Sequence, residues 1–247
     1  RSGPYGLLGE DMRRGGQVAV EERGGNVMGV PIEITWEDDE TKPQPAVQKA
    51  TKLISEGSHM IFGALSSAST LAVMNLTKQR KVPHLVTISA DDKITVPGGS
   101  RYTFRTSNTL GMENRMALAY MQDRKLKKIY AVTADYQATR DGYEWIKQQT
   151  GPNGIQIVGE DFPPLGNRDY SSIVDKIAKS DADGVLLMLT GSDVVTLLKQ
   201  AGQVNLGKSK VLFGPVAADE TMAAAVGPAS LGVMISASKR MVHYRAA

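Results

Sequence analysis

No cysteine occurs among the 247 residues of the chain, and histidine occurs only three times. Without cysteine the chain can form no disulfide, no thiolate metal site and no cysteine nucleophile. His59, His84 and His243 are far apart in the sequence, and none has a partner at the spacing of a metal site. We therefore expect neither thiol chemistry nor a metal centre.

Long apolar runs and a strong charge of one sign are missing as well. No apolar run approaches the roughly 20 residues of a membrane span, so we expect no membrane insertion. The 29 basic and 26 acidic residues give a net charge of +3 and are spread along the chain. No basic stripe alternates with aromatic residues, which make up 6% of the chain, so we expect no nucleic-acid partner.

Two signatures of hydrolytic enzymes, the H-E-x-x-H zinc motif and the G-x-S-x-G nucleophile elbow, are absent. The adjacent carboxylates Asp38-Asp39 and Asp91-Asp92 lie on predicted loops, where such pairs are more typical of solvated turns than of acid–base catalysis. These observations favour a protein that binds without a reaction. We expect no catalytic residue and no cofactor.

The stretch from Met60 to Val73 carries the clearest signal in the chain. A short apolar run predicts a strand that ends at Gly63, and a periodic apolar segment after it predicts a helix. Between them stand the hydroxyl residues Ser66, Ser67, Ser69 and Thr70. The first N–H groups of such a helix have no backbone acceptor, and together with the helix dipole they favour an anion. A capped helix that binds nothing is the alternative, and this stretch alone does not decide between the two.

Strand-like and helix-like segments alternate along the rest of the chain. Strands are predicted at residues 32–36, 60–62, 84–87, 128–133, 155–158, 184–189, 210–213 and 232–236, and a loop is predicted from Gly98 to Phe104. Helices are predicted at residues 10–23, 43–54 (with Pro43 and Pro45 marking the start), 112–123, 140–149, 170–177, 194–201 and 221–226. The alternation predicts parallel sheets with right-handed crossovers, and the length allows one large α/β domain or two lobes.

Short motifs occur in a recognisable order along almost the whole chain. They include Gly3-Pro4, Trp36-Glu-Asp-Asp39, Gly63-Ala-Leu-Ser-Ser-Ala-Ser-Thr70, Thr103-Phe-Arg-Thr106, Ala134-Asp-Tyr136, Asp169-Tyr170 and Gly214-Pro215. In this order they resemble the leucine/isoleucine/valine-binding (type I) branch of the periplasmic substrate-binding proteins, which serve ABC importers. No single motif is diagnostic, but the ordered set is specific.

The resemblance implies an α/β fold with two doubly wound parallel-sheet lobes that close on a solute about hinge strands. It assigns residues 1–107 to a first lobe that lacks its first strand, 108–235 to a second lobe, and 236–247 to a return hinge and truncated tail. We therefore expect the chain to be incomplete at both ends. The implied partners are a small solute (an organic acid, an amide or an amino acid) and a membrane permease, and the implied location is the periplasm or another extracytoplasmic space.

The resemblance also implies where the solute binds. Ser67 would bond a ligand carboxylate through its N–H and its hydroxyl, with Leu65 and Ser66 lining the same wall. Further contacts are expected from Ser89, Ala90 and Asp91 in the next strand-end loop, and from Leu8, Tyr136, Thr190 and Gly191 in the loops that close over the ligand.

One departure from the family pattern bears on the ligand. Amino-acid binders of the family carry an acidic residue after the Gly-Pro of the second lobe, whereas Val216-Ala217 follow Gly214-Pro215 here. A buried ammonium without its counter-ion would cost several kcal/mol, unless Asp91 or Asp219 takes that place. We expect a carboxylate without an amine, or an amide.

Two other classes of protein remain open at this stage. One is a ligand-sensing domain of the same fold in a receptor or regulator. The other is an enzyme on a flavodoxin-like sheet, which would place a base and a nucleophile together in the cleft.

Overall fold

The structure, a computed structural model, describes residues 2–96, 98–215 and 224–227, and the backbone of residues 234–235. It divides into two compact units, Arg1–Ser107 and Asn108–Ala247. Val216, Ala217 and Asp219 lie outside the described residues, as do the return hinge and tail predicted at 236–247. The main sheet of each unit is parallel, which confirms the predicted α/β class.

The described residues of unit 1 form three α-helices, five short strands and a 3-10 turn at Asp92–Ile94. The α-helices and strands are α1 (Gly6–Glu22), β1 (Asn26–Val27), β2 (Val30–Pro31), α2 (Pro43–Ser55), β3 (Ile61–Phe62), α3 (Ser67–Arg80), β4 (His84–Val86) and β5 (Thr103–Arg105). Strands β3, β4 and β5 form a parallel sheet in that order, and β1 and β2 form a separate antiparallel hairpin. Helices α2 and α3 pack with β3 around a small core of Ala46, Ala50, Ile61 and Val73.

The first helix begins earlier than its sequence pattern predicts. The pattern placed a loop up to Gly9, but α1 starts at Gly6 after a turn in which the N–H of Gly6 donates to the carbonyl of Gly3 at 3.1 Å. Gly3 has φ +75°, and a β-carbon there would come within 2.6 Å of the carbonyl oxygen of Glu40. This close approach, together with the burial of Tyr5 and Leu8, outweighs the weak helix propensity of the glycines in the first turns.

The prediction of a strand at residues 32–36 is wrong about pairing, although the alternation of side chains is present. Side chains alternate there between half-buried and exposed, as a strand requires, but no strand among the described residues pairs with them. Trp36 still reaches the sheet, because its ring packs edge-on against Phe62 with centroids 5.1 Å apart. Alternation of side chains is a property of the segment itself, whereas a strand also needs a neighbour to accept its backbone hydrogen bonds.

Unit 2 is larger, and its described part includes four long α-helices and five strands, besides short helical turns and helical residues at 224–226. The long helices and the strands are α4 (Leu110–Asp123), β6 (Lys128–Thr133), α5 (Gln137–Thr150), β7 (Gln156–Asp161), α6 (Ser171–Lys179), β8 (Gly184–Met188), α7 (Ser192–Gln203), β9 (Val211–Gly214) and β10 (Met234–Ile235). The sheet order is β10-β9-β8-β6-β7, with every pair parallel. Every residue of β8 is buried, as expected for a strand covered on both faces.

The order of strands in unit 2 reverses between β6 and β8. From β6 the chain passes to β7 on one side, and from β7 it returns to β8 on the other side of β6. In open parallel sheets, ligands bind in the crevice outside the carboxyl ends of the strands at such a reversal. The turns after β6 and β8 are therefore the positions in unit 2 that the topology favours for a ligand.

Candidate functional site

The turn between β3 and α3 leaves hydrogen-bond donors without acceptors. Ser66 precedes the helix in an extended conformation (φ −69°, ψ 132°), and no side chain of the described part of the chain caps the helix start. The N–H groups of Ser67, Ala68 and Ser69 have no acceptor inside the helix, because an α-helix supplies none for its first turn. No acidic residue stands in that turn to neutralise the dipole.

Two buried hydroxyls hold the loop that leads into this helix. The hydroxyl of Thr70 donates to the carbonyl of Ala64 at 3.0 Å. Ser89 Oγ lies 2.9 Å from the carbonyl oxygen of Ala64, 2.8 Å from that of Leu65 and 2.5 Å from Thr70 Oγ1. Each hydroxyl has one hydrogen, so both are used within the protein. Ser89 thus fixes the positions of Ala64 and Leu65.

His84 supports the same loop from the middle of the sheet. Its Nε2 lies 2.6 Å from the carbonyl oxygen of Gly63, a distance that fits a neutral imidazole with the proton on Nε2. Burial lowers the pKa of His84, because the interior disfavours the imidazolium, and the bond to Gly63 opposes that effect. The other ring nitrogen, Nδ1, is buried and has no partner among the described residues.

The loop after β4 is joined to the first turn of α3 through Asp91. The N–H of Asp91 donates to Ser67 Oγ at 3.3 Å, and its carboxylate accepts from the N–H of Lys93 at 2.8 Å. The guanidinium of Arg105 donates to the main-chain oxygen of Asp91. Ala90, between Ser89 and Asp91, is half-buried.

Helix α1 approaches this site through Met12. The hydroxyl of Thr87 lies 3.3 Å from the sulfur of Met12, and a β-carbon on Gly63 would stand 3.7 Å from the Met12 methyl. Leu8, one turn earlier, is buried with 3% of its surface exposed. Sequence reasoning proposed Leu8 and missed Met12, which the 3.6-residue period places one turn further along the helix.

In unit 2, Tyr136 and the pair Thr190-Gly191 lie at the reversal of strand order. Tyr136 follows β6 and precedes α5, and Gly191 follows β8 and precedes α7 with φ +61°. The hydroxyl of Thr139 contacts the carbonyl oxygens of Ala134 and Tyr136 at 2.6 and 2.9 Å, which fixes the first of these turns. Tyr136 and Thr190 are half-buried.

Each unit therefore collects its own part of the predicted set at the carboxyl ends of its strands. Unit 1 brings together Leu65, Ser66, Ser67, Ser89, Ala90 and Asp91 around the start of α3. Unit 2 brings Tyr136 close in topology to Thr190 and Gly191, because β6 and β8 are paired neighbours.

One stretch matches a nucleotide-binding pattern without having its structure. Residues 202–209, Gly-Gln-Val-Asn-Leu-Gly-Lys-Ser, fit the G-x-x-x-x-G-K-[ST] motif of phosphate-binding loops. That loop must follow a strand and open a helix, whereas here the stretch ends α7 and precedes β9. The N–H groups of Lys208 and Ser209 donate to carbonyls of their own turn, so they are not directed at a phosphate. The match is therefore coincidental.

Among the residues that the structure describes, no three His, Asp or Glu side chains are grouped to hold a metal ion. In the same residues, no helix has both the length and the apolar character needed to cross a bilayer.

The chain is similar to a family of known proteins. The model of the family described as periplasmic binding protein matches residues 1–241. Leu/Ile/Val-binding protein homolog 6 of Brucella suis biovar 1 is 29% identical over 240 residues, which cover 94% of this chain and 60% of that protein. The chain thus spans about three fifths of the length of that curated relative.

Two solved structures resemble the chain closely. A solute-binding protein of an ABC transporter from R. palustris, in complex with benzoate, is 28% identical with a TM-score of 0.85 over 93% of this chain and 63% of that one. Another, from Rhodopseudomonas palustris BisB5 in complex with 3,4-dihydroxybenzoic acid, is 26% identical with a TM-score of 0.86 over 94% of this chain and 64% of that one. These matches confirm the resemblance carried by the sequence motifs, and the chain belongs to the periplasmic binding protein family.

Proposed function

We propose that the protein captures a small carboxylate-bearing or amide solute in the periplasm and presents it to the permease of an ABC importer. The observation that carries the proposal is the uncapped start of α3, where three backbone N–H groups and the hydroxyls of Ser66 and Ser67 are gathered in one turn. A helix start of this kind binds an anion without any charged side chain.

The hydrogen bonds around Ser67 suit a carboxylate. Ser67 Oγ accepts from the N–H of Asp91, and its own hydrogen has no acceptor among the described residues. A hydroxyl in that position is a donor to whatever occupies the site, and a carboxylate offers four lone pairs to accept such bonds. Ser89 serves this arrangement indirectly, because its hydroxyl holds the Ala64 and Leu65 carbonyls.

An α-amino group is less well served by the same residues. The Asp91 carboxylate already accepts from the Lys93 N–H, and the guanidinium of Arg105 lies on its main-chain side. A solute ammonium placed near α3 would also meet the positive end of the helix dipole. Two structural relatives hold benzoate and 3,4-dihydroxybenzoic acid, which are carboxylates without an amine. An aromatic acid is accordingly the solute class that we favour.

In this proposal the protein performs no chemical turnover. The resemblance assigns Leu8 in α1, and Tyr136, Thr190 and Gly191 in the strand-end turns of unit 2, to closing over the solute. Hinge closure then stabilises a form that the permease recognises. The cost of ordering the closed form is met by solute contacts that the open form does not make.

Titration calorimetry on the full-length protein tests the proposal. Benzoate, 4-hydroxybenzoate, benzamide, leucine and valine would be compared, and we expect the aromatic acids to bind most tightly. Ser67→Ala should weaken benzoate binding by about 1–3 kcal/mol, the cost of losing a hydrogen bond to a charged group. Ser172→Ala is the matched control, since Ser172 is exposed in the first turn of α6. Tight binding of leucine or valine without binding of any aromatic acid would contradict the proposal.

A further inference from the structure

We propose that Arg105 is a positioning residue of this site, which holds Asp91 so that the Ser67 hydroxyl is set to donate to the solute. The inference rests on the proposed function, because it concerns how the same turn is prepared for a carboxylate. Arg105 is the last residue of β5, the strand next to β4, and the loop after β4 carries Asp91. Sequence reasoning gave Arg105 no role in the site.

Each of the three polar groups of Asp91 has a hydrogen-bond partner within unit 1. Arg105 Nη2 donates to the main-chain oxygen, which also accepts from the N–H of Ile94 at 3.3 Å, and the Lys93 N–H donates to the carboxylate at 2.8 Å. The remaining group, the N–H of Asp91, donates to Ser67 Oγ at 3.3 Å. Asp91 is thereby joined to β5 on one side and to the first turn of α3 on the other. With 9% of its surface exposed, it has little freedom to move.

The contact with Ser67 decides how that hydroxyl can be used. A hydroxyl that accepts from a backbone N–H presents its own hydrogen in another direction, as a donor. If Asp91 moved away, the Ser67 hydroxyl could rotate, and its hydrogen would no longer be held in one direction. Arg105 therefore affects solute binding through Asp91 and Ser67. Removing Arg105 should weaken binding most for a solute whose group at this point can only accept hydrogen bonds.

Arginine suits this place for two reasons. Burial lowers the pKa of Arg105 because it disfavours the guanidinium, while the nearby carboxylates of Asp92 and Asp91 favour the charged form. The side chain remains charged in either case, since a guanidinium does not lose its proton in proteins. The charged guanidinium is desolvated beside the loop that carries Asp91. It supports this loop, and it also makes the local potential more positive where the solute carboxylate would bind.

The test combines exchange at one amide with affinity for two probes. In the full-length protein, Arg105→Met, Arg105→Lys and the control Arg101→Met would be compared by NMR hydrogen exchange and by calorimetry with benzoate and benzamide. Arg101 is an exposed arginine four residues earlier, whose guanidinium stands 5.7 Å from the Tyr102 ring centroid. We expect R105M to speed exchange of the Asp91 N–H and to weaken benzoate binding by about tenfold or more, with a smaller loss for benzamide.

Further results separate this inference from a general loss of stability and from the proposed function. R105K should recover part of the Asp91 protection and of the affinity, and R105M should lose little more affinity when Ser67→Ala is already present, because coupled residues are not additive. If wild type binds neither probe while R105M still exposes the Asp91 N–H, the positioning role stands and the proposed function fails. If wild type binds benzoate and R105M binds it equally well, or if R105M keeps the Asp91 N–H protected, the positioning role is wrong.

Discussion

At the scale of single residues, the candidate site depends on polar groups that are used within the protein before any solute arrives. Ser89 and Thr70 share their two hydrogens among the Ala64 and Leu65 carbonyls, and both side chains are buried. His84 adds a third bond to the same loop at Gly63. A loop whose carbonyls are held in this way keeps the N–H groups of the following turn in a fixed direction, which favours binding without reorganisation.

His84 should make the free energy of unfolding depend on pH. Burial lowers the pKa of His84 in the folded protein. In the pH range between the folded and unfolded pKa values, the unfolded chain therefore binds more protons at His84 than the folded chain does. Protonation of His84 does not lower the free energy of unfolding at pH values above the unfolded pKa of about 6.5. It lowers that free energy progressively as the pH falls below this value. Urea unfolding at about pH 7.5 and about pH 5.5 should show this loss in wild type.

His84→Gln should reduce the loss between the two pH values, because glutamine does not titrate there. His59→Gln is the matched control, because it makes the same substitution at an exposed position of unit 1. An equal pH dependence in wild type and in His84→Gln would show that His84 does not contribute it.

At the scale of elements, close contacts between helices depend on where glycine stands. Gly142 lies in α5 against α4, and a β-carbon there would come within 2.5 Å of Leu110 Cδ2 and 3.0 Å of Asn114 Nδ2. The amide of Asn114 also donates to the Gly142 carbonyl at 3.0 Å. The contact between these two helices thus combines a missing side chain with a buried hydrogen bond.

Substituting two helical glycines by alanine should change stability in opposite directions. Gly142→Ala forces α4 and α5 apart and should lower the free energy of unfolding by about 1–3 kcal/mol. Gly15→Ala in α1, where a β-carbon would meet nothing within 4 Å, should raise it by about 0.5–1 kcal/mol. Thermal and urea unfolding of both variants provide the measurement. A stabilising Gly142→Ala would mean that the two helices are not packed as described.

Elements were predictable from the sequence where the signal is local. The buried run in β8 and the amphipathic period of α6 are properties of the segments themselves, and both were placed to within two residues. The strand expected at 32–36 was not found, because its pairing depends on a neighbour that the segment does not determine. The early start of α1 depends on the close approach of Gly3 to Glu40, which is distant in sequence.

At the scale of the whole molecule, the resemblance predicted the family and the parallel α/β fold, and both are confirmed. The different hydrogen-bonding roles of the polar residues in the site were not predictable in the same way. Ser67 and Ser89 look alike in the sequence, yet one hydroxyl keeps a hydrogen to donate and the other is used by the loop. That difference arises from contacts between residues more than 20 positions apart, and the role that we propose for Arg105 depends on a contact between residues 14 positions apart.

The central claim is that the solute carboxylate binds at the start of α3. Titration of the isotope-labelled, full-length protein with benzoate, followed by NMR at the backbone amides of Ser67, Ala68 and Ser69, tests it most directly. We predict that these three resonances move together, with the large downfield proton shifts of N–H groups that acquire a charged acceptor. The shifts should saturate, and their dependence on benzoate concentration should give the same Kd as calorimetry. Saturable binding that leaves the three resonances in place, or no binding of benzoate at all, would contradict the claim.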